Sequence, residues 1–179
     1  MKFSAQLAVA ALVAGAFAVP VVERDLRLIT GVFDKVSADI RNLDAAVTSF
    51  QRDTAPVYAA SGKLVATIDS GASEVGSSPD LSLGDALGLT SAVDGLKGVS
   101  RSLTDHLLAR RKDIEQIRQC TQTLGQFERI VASSTNLINA IVSKVPGIAQ
   151  GIARNKADEI ITVLNQAKNN FAPGNCNDA

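Results

Sequence analysis

Few residues in this sequence stand at a spacing that catalysis could use. The single histidine, His106, directly follows Asp105. Adjacent residues on a helix point about 100° apart, so a Ser-His-Asp relay through His106 would need partners from distant segments. Gly71-Ala72-Ser73-Glu74-Val75 lacks the second glycine of a nucleophile elbow. No P-loop, H-E-x-x-H motif or dinucleotide-binding fingerprint occurs. Asp113/Glu115 and Asp158/Glu159 stand among bases and amides, the pattern of solvated helical faces rather than of a general acid–base pair. Two thiols and one imidazole leave a tetrahedral metal site short of ligands. The reading is a non-enzyme with no cofactor and no metal.

Three hydroxyls open a different kind of chemistry. Ser61, Ser100 and Ser134 each interrupt an apolar stripe where the helical period calls for a hydrophobe. Each can bond the carbonyl one turn back, which a helix tolerates at little cost. Alternatively, they line a cavity and meet the polar end of an apolar ligand. On that alternative the lining residues are Phe33, Ile40, Ser61, Leu64, Leu96, Ser100, Leu103, Phe127, Val131, Ser134 and Ile138.

Helices must position these side chains. The stretch Cys120–Pro146 organises the rest, with Leu124, Phe127, Val131, Ser134, Ile138, Ile141 and Val145 recurring at alternating steps of three and four. Ile29, Phe33, Val36, Ile40, Leu43, Val47 and Phe50 form a similar stripe ending near Arg52, with Asp34, Lys35, Asp39, Arg41 and Asp44 on a solvated opposite face. A second helix is expected at about 57–72, its end signalled by Gly71 and the loop Gly76-Ser77-Ser78-Pro79-Asp80. Asp80 or Ser82 can cap a third, carrying Leu89, Val93, Leu96, Ser100, Leu103 and Leu107 and closed by Arg110-Arg111-Lys112, which complements its negative end. Gly84, Gly88, Gly95 and Gly98 weaken it. Residues 113–119 read as a loop or a shared turn. A fifth helix after Pro146 carries Ile152, Ile160, Leu164 and Phe171 and stops at Pro173-Gly174-Asn175. The fold class is all-α, an antiparallel bundle of about five amphipathic helices after a cleaved signal peptide.

That leader is residues 1–18: Lys2, an apolar run from Leu7 to Ala18, and the small-x-small site Ala16-Phe17-Ala18. The run is shorter than the roughly 20 residues needed to span a bilayer. Residues 19–179 then read as one helical-bundle domain. Secretion makes Cys120 and Cys176 readable as a structural disulfide. Eighteen basic and eighteen acidic residues cancel, which argues against nucleic acid and anionic membranes as partners. Aromatic content of 4% with no Trp argues against base-stacking platforms.

The chain resembles the fungal hydrophobic surface-binding protein A and cell-wall galactomannoprotein family. The resemblance rests on the heptads from Asp25-Leu26 through Phe50, on Leu89–Leu107 running into Arg111-Lys112, and on Leu124…Ile138…Val142-Ser143-Lys144-Val145-Pro146. It implies a secreted all-helical domain that adsorbs to hydrophobic surfaces, can bring polymer-degrading hydrolases to them, and in some members encloses a fatty acid. Some relatives carry a Ser/Thr-rich stalk and a hydrophobic anchoring signal, whereas this sequence ends at Cys176-Asn177-Asp178-Ala179. The expectation is a protein released outside the cell or held non-covalently in the wall. Alternatives are a structural wall antigen without a ligand and a helical inhibitor of a secreted hydrolase.

Overall fold

The computed structural model describes residues 21–178, with side chains from Asp25 onward. The leader read at residues 1–18 lies outside them. The elements are α1 (Val21–Thr48), α2 (Ala55–Gly76), α3 (Leu83–Gly88), α4 (Thr90–Ala109), α5 (Arg111–Gln116), α6 (Cys120–Lys144), a 3₁₀ turn (Gly147–Ala149) and α7 (Gln150–Asn169). No strand occurs among the described residues. Five of these helices are long, and they carry the core.

Each long helix packs chiefly on two others, so that α1, α2, α6, α7 and α4 close a ring in that order. Pairings along the helices give the directions. Asp39 meets Lys63 and Lys35 meets Glu74, so α1 and α2 are antiparallel. Tyr58 meets Gln119 and Ser61 meets Gln126, so α2 and α6 run the same way. Leu26 lies beside Gly88 and Asp44 meets His106, which sets α4 parallel to α1. Consecutive long helices therefore alternate in direction, as the short connections require, while several neighbours in space are parallel.

On α1 the stripe Ile29, Phe33, Val36, Ile40, Leu43 and Val47 is buried as its period predicts. The helix stops at Thr48, before Phe50 and Arg52. Thr48 and Ser49 turn their hydroxyls onto the carbonyls of Asp44 and Ala45, and the Arg110 guanidinium donates to the Thr48 carbonyl at 2.7 Å. Arg110 thus serves two helix ends, its backbone N–H closing α4 on the carbonyls of His106 and Leu107 and its side chain reaching across to α1. Asp39 is not on a solvated face: it is only 5% exposed, because it turns toward α2. There its carboxylate accepts from Lys63 Nζ at 2.8 Å and Thr67 Oγ1 at 2.7 Å.

Pro56 starts α2, where its missing N–H costs nothing. The helix runs through Gly71 to Gly76. Gly71 marks a close approach rather than an end: a Cβ there would lie 2.5 Å from Val32 Cγ1. The expected third helix is two segments joined at buried Leu89. Ser82 caps the first through a reciprocal box with Asp85. Residues 111–116 form one short helix rather than a loop.

At the end of the ring where α6 starts, Cys120 and Cys176 are bonded. Asp178 caps α6, accepting from Cys120 N–H at 2.7 Å and Thr121 Oγ1 at 2.7 Å. These hydrogen bonds, the one from the Thr121 hydroxyl first, hold its carboxyl below the usual range. At the opposite end the Leu81 N–H donates to the Lys144 carbonyl at 2.7 Å, closing the α2–α3 loop onto the end of α6.

Candidate ligand-binding cavity

A ring of five helices does not fill its own centre. With axes about 9 Å apart, each axis lies roughly 8 Å from the middle, while helix and side chains reach only about 5–6 Å. The gap left is about one carbon chain wide. Large inward side chains could close it, but aromatics are only 4% of the sequence. On α7 the inward positions include Ala153 and Ala157, and between Gln150 and Thr162 that helix has no fully buried side chain.

The outcome is an internal void of about 130 Å³, room for roughly ten waters. Phe33, Ile40, Leu64, Leu96, Ser100, Leu103, Phe127, Ser134 and Ile138 all line it. Two residues expected with them do not. Ser61 lines a second void of about 60 Å³ toward the disulfide end, and donates to Gln126 Oε1 at 2.9 Å rather than to its own backbone. Val131 lines neither and sits half-buried at the edge of α6.

The face of α6 that is buried is turned by about one residue from the stripe read in the sequence. Ile130, Ser133, Leu137 and Val142 are buried, whereas Val131, Ser134, Ile138 and Ile141 are half-buried. The pattern Phe127, Ile130, Ser134, Leu137, Ile141 also steps by three and four, and was the available signal for Ile130 and Leu137. A helix in a ring faces two neighbours and a hollow, so its apolar arc is wider than one stripe.

The void is apolar but for Thr90, Ser100, Thr104, Ser134 and Lys156. Thr104 bonds the Ser100 carbonyl at 2.8 Å, and Thr90 bonds that of Leu87 at 2.9 Å. Among the described residues the Ser100 and Ser134 hydroxyls make no hydrogen bond, and no fully buried side-chain polar atom lacks one. Both hydroxyls therefore open onto the hollow.

Lys156 stands at the rim, one turn from Ile152. It pairs with Asp94 at 3.1 Å and with Glu159 at 3.6 Å, and Lys97 pairs with both carboxylates, tying α4 to α7. The hydrogen bond to Asp94 raises the Lys156 ammonium above its usual range, and the same bond from Lys156 holds the Asp94 carboxyl below its own. Lys97 does the same for Glu159. Beside this quartet Ile152 is 56% and Leu87 53% exposed, and both line the void, so its mouth is apolar and open. Ile152 was expected in a buried stripe. It instead forms part of the lip.

Among the described residues no catalytic constellation assembles. His106 Nδ1 meets Asp44 at 2.7 Å between α4 and α1, half-exposed and away from Asp105. Glu115 lies by Cys120 and Cys176, but both sulfurs are spent in the disulfide.

A family model described as hydrophobic surface binding protein A matches residues 26–143. Among curated relatives, cell wall mannoprotein 1 of Aspergillus fumigatus is 34% identical over 86% of the chain, and that of Talaromyces marneffei 26% identical over 96%. The chain spans only 54% and 39% of those two proteins. Among solved structures, ligand-binding domain 1 of the Penicillium marneffei MP1 protein, complexed with arachidonic acids, superposes with a TM-score of 0.79 at 19% identity. That match covers 83% of this chain and 99% of that one. The protein AFMP4P in complex with palmitic acid gives 0.76 at 17% identity, over 82% and 99%. These likenesses establish the fold.

Proposed function

Since the chain belongs to the hydrophobic surface binding protein A family, we propose that it is a secreted, non-enzymatic protein of the fungal exterior or cell wall that encloses a fatty acid. The observation that carries this reading is the apolar hollow of the helical ring with its open mouth. The names of its structural neighbours, solved with arachidonic and palmitic acid, support it. The relatives named as cell wall mannoproteins support the location, and no described helix is long and apolar enough to cross a membrane.

Sixteen methylenes withdrawn from water at ~0.8 kcal/mol each contribute about 13 kcal/mol gross. Association costs about 4–15 kcal/mol. The balance allows micromolar binding only if the carboxylate keeps its solvation. Two places could receive that group: the hydroxyls of Ser100 and Ser134 inside, or the rim beside Lys156. Leaving the charge at the rim avoids the desolvation that a buried carboxylate incurs. We therefore place the carboxylate by Lys156 and the tail past the two serines toward Phe127. Along α6 the lining from Val145 to Phe127 spans about 27 Å at 1.5 Å per residue, longer than an extended palmitate.

A second reading, adsorption to an apolar surface, is favoured by one observation. Ile148 is 82% exposed and neighbours Ile152 at the mouth. A protein that docks there could load lipid from the surface it touches, or bring a hydrolase to it.

Mass spectrometry of protein purified natively from its secreting host should find a co-purified fatty acid. Absence of lipid, together with no uptake of added palmitate, would overturn the reading.

A further inference from the structure

The two voids lie end to end along the axis of the ring and share two wall residues, Phe127 and Ile130, one turn apart on α6. Phe127 is 4% exposed. Its ring stacks on Phe171, with centroids 5.7 Å apart and planes 18° from parallel. Phe171 is buried in the segment that Cys176 ties to Cys120. The ring is thus braced from behind by the pinned tail and does not depend on the contents of either void for its place.

Beyond this wall the smaller void begins apolar, at Leu43, Val47 and Leu107. Its polar lining includes two pairs that are already bonded, Ser61 with Gln126 beside the wall and Tyr58 with Gln119 farther along. A hydrocarbon tail could enter its near part without stripping any polar group of a partner.

We propose that Phe127 sets the length of chain the protein accepts, and that the smaller void is a second acyl-binding volume which the wild-type side chain closes off. This rests on the fatty-acid reading of the larger void, with the tail directed inward. Removing the phenyl ring would join the two, adding about half as much volume again. Each further methylene taken out of water raises affinity about fourfold, so two or more admitted methylenes should be visible as tenfold or greater discrimination.

The test is titration of the intact secreted protein and its Phe127→Ala variant with saturated fatty acids of fourteen to twenty-two carbons. The expected result is a ratio of affinities, longest over shortest, that rises roughly tenfold or more in the variant. Val57 also lines the smaller void; adding Val57→Phe, which fills it, should abolish that gain, and Val57→Phe alone should leave the wild-type profile unchanged. Should Phe127→Ala lose its cooperative melt, Ile130→Ala opens the same wall and carries the same expectation. A wild-type protein that takes up no fatty acid overturns the reading of the larger void. A wild type that binds, with variants whose length profiles run parallel to it, overturns the partition alone.

Discussion

Replacing Ser134 with Val tests which way a fatty acid lies in the ring. The side chain lines the larger void from the middle of α6, and its hydroxyl makes no hydrogen bond among the described residues. With the carboxylate at the Lys156 rim, this hydroxyl only flanks the tail. Valine is close in size and apolar, so palmitate affinity should stay within about threefold of wild type, and stability should shift by less than about 1 kcal/mol. With the carboxylate inside, the same change would delete a hydrogen bond to a charged group, worth about 1.5–3 kcal/mol, or roughly ten- to 150-fold in affinity. Lys156→Gln behaves in the opposite sense. It should weaken binding a few-fold, more at low salt than at high, because the ammonium is partly solvated and already paired with Asp94. Displacement of a fluorescent fatty acid from the two variants at two salt concentrations separates the cases. A loss of tenfold or more in Ser134→Val, with Lys156→Gln unchanged, would refute the rim placement and reverse the ligand.

Two glycines of α2 should respond oppositely to alanine. Gly71→Ala forces a methyl to within 2.5 Å of Val32 Cγ1 and should lower the urea midpoint, overpacking of about 1–3 kcal/mol outweighing a helix-propensity gain of about 1 kcal/mol, whereas Gly62→Ala meets nothing within 4 Å and should raise it. Reducing Cys120–Cys176 should remove about 4 kcal/mol by the loop-entropy argument for a separation of 56 residues, measured as urea unfolding with and without reductant. Acid should destabilise the ring through Asp39. Burial pushes its carboxyl up, but the hydrogen bonds from Lys63, Thr67 and Asn42 and the charge of Lys63 together hold it below its ordinary value. The stability it adds is therefore complete above about pH 4 and is lost as pH falls through the lower, folded value. Thermal melts from pH 5 downward should fall less steeply in Asp39→Asn than in wild type.

The architecture was legible because long helices advertise themselves. The α1 stripe from Ile29 to Val47 is buried at every position its spacing dictates, with Val32 and Asp39 buried in addition where α2 packs on the helix. Boundaries were less legible, for reasons that lie outside each helix. Gly71 resembles a terminator only until Val32 is seen against it. Arg110 does cap α4 through its backbone, but its guanidinium goes to the Thr48 carbonyl of another helix. Asp39 resembles a surface charge because its partners, Lys63 and Thr67, are a helix away. In each case a local rule gave way to a neighbour that sequence spacing does not reveal.

The cavity shows the same limit in a sharper form. Periodicity tells which side chains avoid water but not whether they meet each other or a hollow. Phe127 and Val131 look equivalent in the sequence, yet one walls two voids and the other walls neither. What converts a stripe into a container is the closure of five helices into a ring, and that depends on which helices are neighbours. Ala153 and Ala157 then acquire a meaning they lack alone. Between flat faces, small residues bring helices into contact; on the inside of a ring they enlarge the space that no helix can reach.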